Sequence, residues 1–178
     1  MIDATSRITY GVGTYGKPQV FWWGENARVI IGKYCSIDDS VKIFIGGEHR
    51  TDWITTYPFN IIRSSQFGYI KGHPHTKGDV LIGNDVWLGY DSVILSGSNI
   101  GSGAVIGARS VVSGTVGPYE IWAGNPARLI KYRFDSDIKE ALLRIAWWDW
   151  TEEKIYRVIP LLQSSSITEF IKQADLLI

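Results

Sequence analysis

Six times in succession, at Ile82, Leu88, Ile94, Ile100, Ile106 and Val112, an aliphatic residue returns at every sixth position, usually followed by Gly. A small or β-branched residue stands four places after each: Val86, Ser92, Ser98, Ala104, Ser110 and Val116. This period is neither the 3.6 of an amphipathic helix nor the 2.0 of a half-buried strand. A hexad is too short to bury its apolar positions alone, but stacked hexads place like residues above one another and build a narrow column. Each hexad then supplies one short strand and one corner, and Gly, Asn and Asp, as in Gly83-Asn84-Asp85, are the residues that best tolerate left-handed corner backbone. The pattern predicts a parallel β-helix.

Ile31, Ile37 and Ile43 repeat the spacing in a second block, with Val41 at the small-residue position, so residues 46 to 79 interrupt the coil. That interruption holds His49, Arg50, Asp52, Trp53, Tyr57, Phe59, His73 and His75. A long insertion inside a compact domain is disordered or functional, and this aromatic content argues for function. Residues 1 to about 28, with Gly11, Gly13, Gly16 and Trp22-Trp23, predict an irregular first coil. Past Gly124-Asn125-Pro126 the period becomes helical: Ile138, Leu142, Leu143 and Ile145 follow an N-cap at Asp135 or Ser136. A second helix opens on Thr151 with Ile155, Val158, Ile159 and Leu162, and a third spans Ile167 to Leu176. The expected architecture is all-β with C-terminal helices: a β-helix over 1–134 and a helical extension over 135–178, packed on the same domain. Those helices would most simply cover the open end of the prism.

Composition narrows the function. Eighteen basic and 18 acidic residues leave no basic footprint for nucleic acid or an anionic membrane. No apolar run is long enough to span a bilayer, and Met1 to Arg7 carry no long apolar segment. The single cysteine, Cys35, falls at a small-residue position and predicts a packed thiol in a reducing compartment, the cytoplasm. The three histidines lack metal-ligand spacing and none lies in the repeats, so no metal is expected.

Several segments carry a more specific resemblance: Gly47-Glu48-His49-Arg50-Thr51-Asp52, Thr56-Tyr57-Pro58-Phe59-Asn60, Lys77-Gly78-Asp79, Ile82-Gly83-Asn84-Asp85-Val86-Trp87, Ala123-Gly124-Asn125-Pro126-Ala127 and Trp147-Trp148-Asp149-Trp150. Over about residues 30 to 150 the chain resembles the xenobiotic acetyltransferase branch of the hexapeptide-repeat acyltransferases, which includes streptogramin and hexapeptide-type chloramphenicol acetyltransferases. The resemblance implies a left-handed β-helix, a homotrimer with active sites between subunits, acetyl-CoA as donor and co-substrate, and a general-base histidine on the excursion, which His49 matches. Phe21-Trp22-Trp23 and the run from Ile61 to His75 depart from the antibiotic-acting members. Gly72-His73-Pro74 before Lys77-Gly78-Asp79 looks closer to acetyltransferases of surface-polysaccharide synthesis. The expected function is O-acetylation of a small-molecule acceptor, a sugar or surface-polysaccharide precursor. An antibiotic acceptor is the alternative, and a non-catalytic β-helix scaffold is the alternative of another class.

Acetyl transfer to a hydroxyl needs a base near neutral pH, which suits imidazole. Asp52 is expected either to orient His49 or to cap a loop turn, with Glu48 a weaker candidate, and His73 or His75 could be the base instead. Trp87 ends its hexad and should face outward, as a subunit contact or as a wall for the pantetheine arm. Within the resemblance, backbone groups of Gly89 and Ala108 would pair with pantetheine amides. Arg109, Arg128, Lys131 and Arg133 are the cations available for the phosphates of CoA.

Overall fold

The computed structural model describes residues 7–176; the expectations placed on Met1 to Ser6 lie outside them. Fourteen strands wind into three faces, and each strand pairs with the one above it at the same point of the next turn. The first face stacks β1 (Ile8–Tyr10), β3 (Val29–Ile31), β6 (Val80–Ile82), β9 (Asn99–Ile100) and β12 (Thr115–Val116). The second stacks β4 (Ser36–Ile37), β7 (Trp87–Leu88), β10 (Val105–Ile106), β13 (Glu120–Gly124) and β14 (Ala127–Tyr132). The third stacks β2 (Gln19–Phe21), β5 (Lys42–Phe44), β8 (Val93–Ile94) and β11 (Val111–Val112). Every pair is parallel except β13 with β14. This is the β-helix that the hexads predict, with the chain before residue 28 contributing β1, β2 and the Tyr15–Ser36 bridge of a first turn.

The register explains why the period is six. Ile31 lies beside Ile82 and Ile82 beside Ile100, Leu88 beside Ile106, and Ile43 beside Ile94 beside Val112. These columns are buried, and so are the small residues between them, with Ser92, Ser98 and Ser110 wholly inaccessible. Burying an aliphatic side chain contributes roughly 1.5–3 kcal/mol, and here each gain depends on the turns above and below. Cys35 belongs to the same core.

After two one-turn helices in the insertion, α1 (Phe59–Ile62) and α2 (Ser64–Phe67), three C-terminal helices form where the period changes: α3 over Ser136–Ile145, α4 over Glu152–Leu162 and α5 over Ile167–Asp175. Asp135 is the N-cap residue of the first, and the Thr151 side chain accepts from Lys154 N to cap the second. Their placement corrects the expectation of an end cover. They lie along the corner between the first and second faces, where Tyr34, Asp85 and Tyr119 take left-handed backbone one above another. Tyr119, Leu142, Ile145, Trp148, Val158 and Phe170 form a second apolar cluster there, with Tyr34 tilted against Trp147 at 4.9 Å. Bulky corner side chains cannot enter the narrow prism, so they need a cover on the outside. The second face instead ends in the antiparallel β13–β14 hairpin.

Candidate active site

The corner between the third and first faces is built differently. Between β5 and β6 the chain leaves the prism, makes two one-turn helices at Phe59–Ile62 and Ser64–Phe67, and returns. Its neck is tied by a backbone bridge between Glu48 and His75, with N···O distances of 3.0 and 2.9 Å. Thr76 Oγ1 donates to Ile45 O at 2.7 Å, and Ser96 of the neighbouring corner donates to the Glu48 carboxylate. From the preceding turn, the Glu25 carboxylate accepts from the backbone N–H groups of Trp23 and Gly47. Gly47 has a positive φ of 78°, and a Cβ there would lie 2.3 Å from the Trp23 ring, so only glycine lets the indole lie against the neck. Phe21, Trp23 and Phe44 stack beside it, with centroids 4.7 to 6.4 Å apart.

His49 follows two residues after that glycine. Its Nδ1 lies 2.7 Å from the Thr56 carbonyl oxygen. A carbonyl only accepts, so Nδ1 carries the hydrogen and the lone pair of the neutral ring sits at Nε2. The ring is exposed and lines an open cleft of 570 Å³ together with Glu48, Arg50, Asp52, His75 and Lys77. A 620 Å³ cavity under the C-terminal helices is larger, but its lining is mostly apolar and contains no imidazole. The smaller cleft holds the proton acceptor and is therefore the candidate site.

Asp52 does not meet the expectation that it orients the imidazole. Its carboxylate is held by the Arg50 guanidinium, with Nε donating to Oδ1 at 2.7 Å and Nη2 to Oδ2. Those hydrogen bonds hold its pKa down to about 2. The orienting partner is the Thr56 backbone, which a sequence cannot flag because every residue owns a carbonyl. Glu48 is likewise committed, to Ser96 and, at 3.9 Å, to Lys77. His75 is exposed and serves the neck through its backbone. His73 sits edge-on to His49, with centroids 4.6 Å apart and planes at 85°, and burial together with the neighbouring His49 lowers its pKa. Asn60, given no role by the sequence, is buried and donates to the carbonyls of His73 at 2.8 Å and Ile70 at 3.3 Å, so it sets the path of the returning chain.

The residues expected at the donor lie elsewhere on the prism. Trp87 is 57% exposed on the second face, in one row with Val105, Ile121 and Lys131. Three strand spacings put Trp87 and Lys131 about 14 Å apart across that row. Ala108 and Arg109 are exposed at the corner between the second and third faces. Gly89 is buried there, and its N–H already donates to Ile106 O at 2.9 Å, so that group is engaged in the coil rather than free for a pantetheine amide. Arg109 lies over Tyr90 at 5.9 Å, and Arg128 donates to Ala127 O. Arg133 is taken by the helix-covered corner, donating to Gly103 O at 2.6 Å and pairing with Asp85 at 3.5 Å. One chain therefore carries His49 on one corner and the row of Trp87 and Lys131 on another side, and does not bring them together. Among the described residues there is no group of three or more His, Cys, Asp or Glu able to hold a metal, and no helix is long and apolar enough to cross a membrane.

Comparison with known proteins adds identity to this geometry. The bacterial transferase hexapeptide (six repeats) family model matches residues 79–114, the turns after the excursion. A probable macrolide acetyltransferase of Lysinibacillus sphaericus is 45% identical over 145 residues, which is 78% of this chain and 79% of that protein. A chloramphenicol acetyltransferase of Agrobacterium fabrum is 38% identical over 148 residues, covering 79% and 68%. Among solved structures, a maltose O-acetyltransferase from Clostridium difficile 630 superposes with a TM-score of 0.55 at 27% identity, over 72% of this chain and 60% of that one. Likeness over 79% and 68% of two antibiotic acetyltransferases, added to hexapeptide turns that carry a histidine-bearing excursion, shows that the chain belongs to the xenobiotic acetyltransferase branch of the hexapeptide-repeat acyltransferases and is an acyltransferase.

Proposed function

We propose that the protein is an acetyl-CoA-dependent O-acetyltransferase in which His49 is the general base, and that its acceptor is a hydroxyl on a bulky, antibiotic-like small molecule. One observation carries the assignment of the base: the Thr56 carbonyl fixes the proton of His49 on Nδ1 and leaves Nε2 as an acceptor at an open cleft. The acceptor hydroxyl donates to Nε2. As its oxygen attacks the thioester carbonyl, the proton passes to His49, the C–S bond breaks, and the imidazolium returns the proton to the departing thiolate. The products are the O-acetyl ester and CoA with a free thiol. Base catalysis of this kind is worth about 10²- to 10⁴-fold. Acetyl-CoA supplies the activated acyl carbon, and exposed Trp87, Ala108 and Lys131 offer a ring, an accessible backbone and a cation for its long arm and phosphates.

Because His49 and that row lie on different sides of one chain, a complete site needs a second copy, which supports the homotrimer that the family resemblance implies; the left-handed winding rests on that resemblance and on the parallel stacking of the three faces. The relatives at 45% and 38% identity favour an antibiotic acceptor over the sugar expected at first. A sugar or polysaccharide precursor remains the second reading, favoured by the exposed Trp23 ring stacked with half-buried Phe21 and Phe44, whose flat face suits the apolar side of a pyranose, and by the maltose O-acetyltransferase neighbour. The unpaired, buried Cys35 suits the cytoplasm. Thiol release from acetyl-CoA, measured with macrolides, streptogramins, chloramphenicol, sugars and nucleotide sugars, tests these assignments. Release with an antibiotic that disappears in His49→Ala supports them. Release with sugars alone moves the acceptor, and full release by His49→Ala removes the base.

A further inference from the structure

His73 contributes a buried polar group that the proposed reaction does not use. Neither Nδ1 nor Nε2 of this ring has a hydrogen-bond partner among the described residues, and both atoms are cut off from solvent. A neutral imidazole owns one donor and one acceptor, so folding alone gives no reason to bury both unpaired. The ring is nonetheless held firmly: its own carbonyl accepts from buried Asn60, and two residues later His75 closes the neck against Glu48. It stands edge-on to His49 at 4.6 Å.

We propose that His73 is a positioning residue for the catalytic base: a half-buried ring with both nitrogens shielded from solvent that packs edge-on against the His49 imidazole and holds it in the plane set by Thr56. This rests on His49 being the base. With no hydrogen bond from either nitrogen to His49 or to any other described residue, His73 has no path along which to relay a proton, so its contribution is as a ring. The charged and titratable groups around it agree with a neutral state. Burial and the adjacent His49 both oppose its protonation, and Glu25, on the turn below, favours it less strongly. Arg50, close to Gly72, adds a fixed positive charge on that side. A second imidazolium against His49 would oppose the charge that the base must accept, whereas a neutral ring does not.

The pair His73→Ala and His73→Phe, with His49→Ala as control, tests this in the full-length protein. Misplacing a base without removing it costs turnover on the scale of about 10- to 100-fold, so His73→Ala should lose that much kcat with KM within about twofold. His73→Phe restores a ring without nitrogens and should recover most of the loss, keeping the acid limb of the pH profile within about one unit of wild type. Selective ¹⁵N labelling of the three histidines provides a readout that needs no variant: the His73 signals should remain those of a neutral ring below the ordinary imidazole range, and His49 should show the Nδ1–H tautomer. A His73→Phe variant that folds but is as inactive as His49→Ala, or a His73 that protonates together with the onset of activity loss, would overturn the proposal in favour of a proton-carrying role. Wild-type kcat in His73→Ala also overturns it. If His49→Ala stays active, the base assignment fails instead, and the two failures are told apart.

Discussion

Two corners of one prism have been put to opposite uses. Between the first and second faces, Tyr34, Asp85 and Tyr119 take left-handed backbone, and the two tyrosines send large side chains outward under three amphipathic helices. Between the third and first faces the corner is small, with Gly97 and Gly114 at positive φ, and its second turn opens into the excursion that presents His49, His73 and His75. Burial pushes the Tyr119 phenol up and raises the Asp85 carboxyl against the pull of Arg133, while the excursion keeps most of its charged groups wet. The difference teaches that the coil itself is indifferent to function: a corner sealed by apolar cover supplies stability, and a corner left open presents the groups proposed for chemistry.

The sharpest way to break that contrast is to remove one group from each corner. His49→Ala is expected to lower kcat by about 10²- to 10⁴-fold, roughly 2.7–5.5 kcal/mol of transition-state stabilisation, and to leave the melting temperature where it was. Tyr119→Ala should do the reverse. Emptying a wholly packed aromatic costs about 3 kcal/mol or more of folding free energy, while kcat per folded molecule at low temperature stays near wild type. Thermal unfolding followed by circular dichroism, set beside acetyl-transfer kinetics, separates the two. If Tyr119→Ala loses kcat while remaining folded, the two corners are coupled.

The pH dependence refines the comparison at the open corner. Catalysis needs an unprotonated Nε2 on His49, because a protonated one cannot accept from the hydroxyl. Stability should fall on acidification for a separate reason. The folded pKa of His73 is depressed, so below the unfolded value of about 6.5 the unfolded chain binds more protons, and stability declines until the folded pKa is reached. His73→Phe removes that decline. Chemical denaturation at intervals between pH 5 and 8, fitted for wild type and variant, checks the sign.

What the sequence showed and what it hid follow one division. The hexads, the small residues beside them and the capped helices are repeated or periodic signals, and each reappears as a column, a face or an N-cap. Contacts made by anonymous groups were not legible. The Thr56 carbonyl that orients His49 has no side-chain signature, and Asp52, three residues after His49, resembled an orienting carboxylate until Arg50 was seen to hold both of its oxygens. The path of the helices was also hidden, because large residues at Tyr34 and Tyr119 occupy positions that the repeat assigns to small corner formers. Their bulk was the available signal.

A smaller effect tests Asp52 directly. Since Thr56 orients the ring, Asp52→Asn is expected to change kcat by no more than about threefold and to leave the melting temperature near that of wild type, because solvent screens the Arg50–Asp52 pair. With its pKa near 2, wild-type Asp52 adds no limb to the rate profile in the range where the enzyme is assayed. A loss of a hundredfold or more, with the fold intact, would return Asp52 to the orienting role.

The least effect is expected where the covered corner carries charge rather than rings. Lys33 and Asp149 join the coil to the turn after α3 at 2.9 Å, but their side chains are 39% and 60% exposed. Solvent screening and lost side-chain freedom reduce such a pair to about 0.2–1 kcal/mol. A double-mutant cycle on Lys33→Ala and Asp149→Asn, read by urea unfolding, should give a coupling energy in that range, well below the cost of Tyr119→Ala a few turns along the same corner. A coupling above about 2 kcal/mol would mean that the helices are held by charge and that the apolar cluster is secondary. The tilted packing of Tyr34 against Trp147 immediately beside the pair argues for the opposite order, because ring burial is not screened by salt.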